Sequence, residues 1–451
     1  MPWKRSSSGK GFTRLLPGGG LFILLLILTI NTGHARESTD RTSDDTNTGA
    51  LVINNLTIPA EAISRMHALV QRDDPTLDRK AFIDALIESH LVASHVREQG
   101  LADVVLDSHG VGFAPAVQID NRQVATLRVL FAEPLAAAVE ALGKNGLNAL
   151  LAAPIDPDWQ AVSRALGSPV RHVYSLSTAE QRAAAGVPLA HYHLPGSEQT
   201  RTVTLADIYQ RQNVQGRIAL HEGDHTWLVR ETQLYIGQQF VRAWSEEKAP
   251  VTGTTLAAIN TLVEDRLLRQ AWLAHSGVAT EIHAGNPALK AASEQVSRAA
   301  IQRWYQANRA RFRSVRAARA SVVRCSDKHA CESWLATQGA ALQGNEAWPA
   351  SSSKDVTVTN QWYQRDSTRN WLTDVVLMQP DDKPPAPIRG PGGNSWYLVQ
   401  VNERKWHTHS VDSLTVDIVA RREVAREQLV QDYLGLTARL REQAHIRRPA
   451  S

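Results

Sequence analysis

The sequence holds two cysteines and three methionines in 451 residues, and its most apolar run, "LFILLLILTI" at Leu21–Ile30, is ten residues long. Two cysteines exclude the dense disulfide framework of small secreted domains and any four-thiolate metal site. Cys325 and Cys331 stand in "RCSDKHACESW", a spacing unlike the C-x2-C of zinc and redox motifs. The pair is expected either to close a small disulfide loop or to remain two unlinked thiols. Ten apolar residues fall short of the roughly 20 that a membrane-spanning helix needs. G-x-S-x-G, G-x-G-x-x-G and the P-loop are absent too, which leaves serine-hydrolase and nucleotide chemistry without a handle.

A surplus of positive charge is missing as well, once the amino terminus is set aside. Residues 1–35 read as a secretory signal: Lys4, Arg5, Lys10 and Arg14 precede the apolar run, and "TGHA" ends in small residues, so cleavage is expected after Ala35. An uncleaved anchor that includes Leu15 and Leu16 is the alternative. Of the 49 Lys and Arg residues, four lie in this segment, leaving 45 against 45 Asp and Glu. A net charge of zero gives a nucleic-acid partner no electrostatic footprint. Residues 36–50 are polar and are expected to be a disordered leader.

What the chain does have is helical periodicity. From "ALVINNLTIP", which reads as a short strand or extended segment, to about residue 300, the pattern is mainly helical. In residues 77–101, Phe82, Ile83, Leu86, Ile87, Leu91 and Val96 recur at steps that share one helical face, and Gly100 is placed to end the helix. Residues 256–278 align with that segment at an offset of 176, placing Ile83 on Ile259, Leu86 on Leu262, Glu88 on Glu264 and Leu91 on Leu267. Either a duplication or two helices of like pattern would give this match. Pro134 interrupts the next helical stretch, and two shorter ones end at glycines. A forty-residue stretch without proline then carries Leu220, Trp227, Leu234 and Val241 seven apart, which predicts a buried seam along a long helix or a hairpin of helices. Beyond residue 312 the pattern changes to alternating strands around one helix, "DKHACESWLATQG", with a loop rich in proline and glycine. The chain closes on an apolar stripe of Leu429, Tyr433, Leu436 and Leu440, which predicts a long amphipathic helix packing on the earlier helical domain.

Two histidine patterns raise the question of a metal. His221-Glu222-Gly223-Asp224-His225 matches H-E-x-x-H, whose histidines must share one face of a helix while the glutamate activates a metal-bound water. Gly223 in mid-helix would cost about 1 kcal/mol relative to alanine, and no H-x-x-G-x-x-H extension follows. Glu246 and Glu247 lack the surroundings of a third ligand. The expected reading is a solvated, charged helix face, with zinc metalloprotease as a remote alternative. His191 and His193 in "AHYHLPG" have no firm third ligand, so a polar loop is expected there. No metal and no cofactor is assigned.

The order of elements, with the export signal, the helix "AFIDALIESHLVASHVREQGL", the connecting "AAIQRWYQANRARF", an α+β module and a terminal amphipathic helix, resembles the SurA/PpiC group of periplasmic folding factors with parvulin-type peptidyl-prolyl isomerase domains. The resemblance implies a mainly α, chaperone-like domain that binds peptide over residues 51–300, a diverged parvulin-like α+β module over 301–405, and a C-terminal helix over 406–451. It implies a periplasmic protein whose partners are unfolded or proline-containing exported polypeptides, with no stable membrane insertion unless the signal stays uncleaved. Parvulin domains carry histidines on neighbouring central strands; here Ser321 and Tyr397 occupy the matching positions, and His329 falls at the start of a helix. The missing histidines count against isomerase catalysis and leave peptide binding, for which Trp362, Tyr363 and Trp396 are the candidates. Most of the 12 tryptophans are expected to anchor cores rather than mark sites. The alternative from another class is a non-catalytic envelope assembly or structural protein with one dedicated partner.

Overall fold

The computed structural model describes residues 49–107, 111–167, 174–279, 286–338, 347–365, 370–380 and 385–449. The expected signal, residues 1–35, and nearly all of the expected leader lie outside the described residues. The described chain is mainly helical, with small antiparallel sheets and a 30-residue helix near its C-terminal end. It divides into two compact units, one of residues 1–272 with 436–451 and one of residues 273–435.

The first unit opens with a hairpin of β1 (Leu51–Ile53) and β2 (Leu56–Ile58). Asn54 turns it at φ 52°, a left-handed conformation that asparagine tolerates better than most residues. Helices α1 (Ala60–Gln71) and α2 (Arg79–Glu98) follow. The Asp78 side chain accepts from the Ala81 amide at the start of α2, and Phe82, Ile83, Leu86, Ile87, Leu91 and Val96 are buried along it, the face their spacing predicts. Beyond α3 (Ala102–Leu106), α4 (Pro115–Leu130) and α5 (Ala132–Glu140) meet at Phe131. Pro134 therefore sits in the first turn of α5, where its missing amide costs no helical hydrogen bond.

Next come α6 (Trp159–Leu166), α7 (Thr178–Ala185), a hairpin of β3 (Pro188–Tyr192) with β4 (Arg201–Thr204), and α8 (Leu205–Gln210). The proline-free stretch is then divided among α8, α9 (Val214–His221) and α10 (His225–Lys248), before α11 (Gly253–His275). The seven-residue seam does not survive this division. Leu220 and Val241 are buried, but the turn at Gly223 cuts Leu220 off from α10, and within α10 Trp227 is only half-buried and Leu234 is 50% exposed. α10 buries Leu228, Thr232, Ile236 and Phe240 instead, at steps of four.

One ionic cluster ties α2 to α11. The Asp265 side chain has no exposed surface; its carboxylate lies 2.8 Å from His90 Nδ1 and 2.7 Å from an Arg97 nitrogen, and Arg97 also reaches Glu264 at 2.8 Å. Burial alone pulls the Arg97 pKa down, but Asp265 and Glu264 outweigh it and the net direction is up. Glu88, the residue that aligns with Glu264, binds Arg269 at 2.6 Å, so each glutamate reaches an arginine on the other helix.

The second unit holds α12 (Pro287–Gln295), α13 (Arg298–Asn308), β5 (Arg313–Cys325), α14 (Lys328–Gln338), β6 (Ser351–Ser352), β7 (Val356–Gln364), α15 (Trp371–Met378), β8 (Ile388–Arg389), β9 (Trp396–Thr408) and the first part of α16 (Leu414–Gln443). Its sheet runs β6-β7-β5-β9-β8, antiparallel throughout, with β5 in the centre. α15 covers one face, over Ala318, Ala320, Val322, Tyr363 and Val399. The other face gathers Val323, Cys325, Leu398 and Trp348, with Cys331 and Trp334 of α14. Ile301, Trp304 and Tyr305 of α13 pack separately on Val416 and Ala420 of α16.

Past α16 the chain returns to the first unit. Leu440, Ala444 and Ile446 pack against its core, and β10 (Ile446–Arg447) pairs with the free edge of β1 through Val52↔Arg447 and Ile53↔Ile446. Replacing Asp265 with alanine leaves the half-buried Arg97 and the buried face of His90 without their shared acceptor. The expected loss is about 3 kcal/mol of stability, read as a lower urea midpoint at unchanged slope.

Candidate functional site

The H-E-x-x-H stretch is a joint between two helices. α9 ends at His221 with Glu222 as its C-cap, Gly223 turns the chain at φ 77°, and the Asp224 carboxylate caps α10 by accepting from the Trp227 amide at 2.9 Å. The glycine that would weaken a continuous helix is here the residue that ends one. The two histidines therefore do not share a helical face. His221 is 7% exposed, its Nε2 lies 3.0 Å from the Tyr209 hydroxyl, and its ring packs against Tyr174 and Tyr209. His225, exposed at the first position of α10, stacks on Trp159 with ring centroids 3.7 Å apart. The expected solvated face holds for Glu222, Asp224 and His225 and fails for His221. Among the described residues no three of His, Cys, Asp and Glu converge on a point where a metal could sit.

Beside this joint lies an open cavity of about 240 Å³ between α6 and the turn from α9 to α10. Val162, Leu166, Leu220, Leu228 and the Trp159 ring give it apolar walls, and Ser163, Glu222, Asp224 and His225 give it a polar rim. Leu220 and Leu228 flank the turn, so the local fold that breaks the motif also opens the floor of the cavity. Among the described residues no Lys or Arg lines it. Among the described residues neither Glu222 nor Asp224 takes part in an ion pair, although Arg164 nearby is turned towards Asp158 at 3.9 Å.

The positions expected from the parvulin resemblance are not brought together. Ser321 on β5 is fully buried on the α14 side: its hydroxyl donates to Asn402 Oδ1 at 3.0 Å and accepts from the Trp348 amide at 3.0 Å, while Asn360 Nδ2 donates to the Trp348 carbonyl at 2.6 Å. Tyr397 lies on the α15 side, against Trp371 with centroids 5.0 Å apart. Gly390 passes so close that a Cβ there would stand 2.7 Å from the Tyr397 ring. The sheet itself separates Ser321 from Tyr397, because residues of opposite parity face opposite sides.

The three candidates for peptide contact are scattered in the same way. Tyr363 is 5% exposed beneath α15, and burial pushes its phenol pKa up. Trp362 and Trp396 share the Ser321 side, but they pair with Arg319 and Cys325 respectively, six residues or roughly 20 Å apart along β5. Lys405 Nζ sits 4.2 Å above the Trp362 ring. Cys325 and Cys331 are bonded to each other, with their sulfurs inside the Trp348 cluster. His329 is exposed in the first turn of α14. His191 and His193 are exposed on and just past β3, each facing a threonine: Thr202 at 3.0 Å and Thr200 at 3.4 Å. Sequence periodicity does not find the cavity, because its walls come from elements that are distant in sequence. The one local signal is Gly223 followed by the capping residue Asp224.

No protein-family model matches the chain, and no curated protein matches it. Among solved structures, it is paired with a chain from a study of the virulence factor PEB4 and the periplasmic protein Cj1289, described as two structurally related SurA-like chaperones of Campylobacter jejuni. The pairing covers 89% of this chain and 98% of that one, at 10% identity and a TM-score of 0.24. Values this low carry no argument about fold or function.

The role of Gly223 is open to a direct check. A Cβ at Gly223 would meet nothing within 4 Å, so Gly223→Ala should cost only the backbone strain of a left-handed alanine, about 1 kcal/mol. Gly223→Asn should cost less, and thermal unfolding of the two variants would rank them.

Proposed function

We propose that this protein is an exported folding factor of the SurA/PpiC type that holds segments of unfolded polypeptide and does not catalyse proline isomerisation. The observation that carries this reading is the open cavity beside the α9–α10 turn, where apolar walls meet a charged rim on a frame of buried helices. A holdase needs such a surface: enough apolar area to shelter a side chain reversibly, and a polar border that discourages self-association. The signal-like residues 1–35 support export to the periplasm, and no helix among the described residues is long and apolar enough to cross a membrane. The helical unit is the peptide-binding part in this reading, and the sheet module is a diverged parvulin-like domain.

Against isomerase chemistry stands the placement of Ser321 and Tyr397 on opposite faces of the sheet, with Ser321 already committed to Trp348 and Asn402. Rotation about a prolyl bond must lower a barrier of roughly 18 to 20 kcal/mol, and groups divided by a sheet cannot act on one amide. Partners are unfolded exported polypeptides, including proline-containing ones bound as chains rather than as substrates. No cofactor and no nucleic acid enter this reading.

Protein lacking residues 1–35 should suppress the aggregation of an unfolded outer-membrane client at near-stoichiometric ratio, followed by light scattering. It should leave the isomerisation rate of a proline tetrapeptide at its uncatalysed value. Ser163→Trp, on the exposed rim, should lower protection at least threefold while the unfolding curve stays in place. Full protection by that variant would remove the cavity from the reading, and no protection by the parent protein would remove the reading itself.

A further inference from the structure

We infer that the cavity beside the α9–α10 turn takes an arginine side chain of the bound polypeptide. This inference rests on the holdase reading above and names what the site selects. Three observations point the same way. The walls formed by Val162, Leu166, Leu220 and Leu228 suit the methylene stem of a long side chain, which buries its carbons along apolar surface while the charged end reaches towards the rim. The rim carries two carboxylates, Glu222 and Asp224, and among the described residues they have no ion-pair partner and no Lys or Arg lines the cavity. Asp224 Oδ1 takes the Trp227 amide, an engagement that fixes the carboxylate in place through the backbone of α10.

The more buried carboxylates of this unit are already held by arginines, whereas Glu222 and Asp224 are exposed at the rim. Asp120 is held by Arg211 and Arg242, Glu88 by Arg269, and Glu264 and Asp265 by Arg97. Glu222 also caps the C-terminal end of α9, where the helix dipole adds negative potential and repels an acid. A cation placed there relieves both the carboxylate and the dipole. Arginine fits better than lysine: its planar guanidinium meets carboxylates through two hydrogen bonds and lies flat against aromatic rings such as the stacked Trp159 and His225, whereas an ammonium holds its water more tightly.

The test uses the full exported chain and acetylated, amidated pentapeptides of alanine with arginine, citrulline or norleucine at the centre, titrated by calorimetry at low salt. Citrulline keeps the shape of arginine and removes its charge. The arginine peptide should bind at least tenfold more tightly than the citrulline peptide. In the double variant Glu222→Gln with Asp224→Asn the difference should fall below twofold; asparagine caps a helix as well as aspartate does, so α10 keeps its start. Equal binding of arginine and citrulline peptides, or a difference that survives the double variant, would overturn the inference while client protection by the parent protein left the holdase reading standing. Binding of the arginine peptide undiminished in Ser163→Trp would place the site elsewhere and overturn the inference. Loss of client protection without any change in peptide discrimination would count against the holdase reading alone.

Discussion

A carboxylate with no exposed surface can stay ionised only if cations and donors surround it, and Asp265 is in that position on α11. Arg97 and His90 on α2 supply what it needs, and they do so at fixed distances of 2.7 and 2.8 Å. That requirement sets the spacing and rotation of α2 against α11 within the limits of a hydrogen bond. Hydrophobic contacts alone would tolerate a slide of one helix past the other. Glu88 and Glu264, each reaching an arginine on the opposite helix, add two more points of registration. The remaining helices of the unit then pack on a pair whose geometry is already decided.

The cavity beside the α9–α10 turn depends on a frame of its own, made by α6, α9 and α10. Its apolar walls face solvent, a condition that a loosely packed domain would relieve by collapse. Leu228 belongs to the stripe of α10 that includes Thr232, Ile236 and Phe240, so the floor of the cavity is the exposed end of a buried face. The turn at Gly223 decides where that face stops. One backbone conformation thereby separates the buried part of α10 from the part left available to a ligand.

Much of the architecture can be read from the sequence, and the reasons differ by element. α2 is legible because one surface of one helix is buried, so that Phe82 to Val96 follow the helical period without interruption. β5 and β9 are legible less directly, since a central strand is buried on both sides and Ala317 to Val323 show no strict alternation. The seam from Leu220 to Val241 misleads because the buried stripe of α10 runs through Leu228, Thr232, Ile236 and Phe240 rather than Trp227 and Leu234, and because the turn at Gly223 separates Leu220 from that helix. H-E-x-x-H misleads for the same reason: its spacing has meaning only on a continuous helix. Ser321 and Tyr397 were matched to a family pattern strand by strand, but whether two strand positions share a face depends on register, and Tyr397 pairs with Arg324, three residues from Ser321 and hence on the opposite face. The burial of Trp348 against the Ser321 hydroxyl has no signal in the sequence, because it arises from a contact 27 residues apart in a segment without periodicity.

The pairing of β10 with β1 has a temporal meaning. Ribosomes deliver a chain from its amino end, so the hairpin of β1 and β2 is present long before Ile446 and Arg447 arrive to cover its open edge. In the interval some 390 residues away from completion, three-residue strands too short to recruit a stranger protect the edge by brevity alone. The second unit, wholly contained between the two halves of the first, has its entire sequence in hand while the first still waits. Closure of the first unit's sheet therefore waits on a strand made after the whole of the second unit, and the helical unit spends that interval with one edge of its hairpin unpaired.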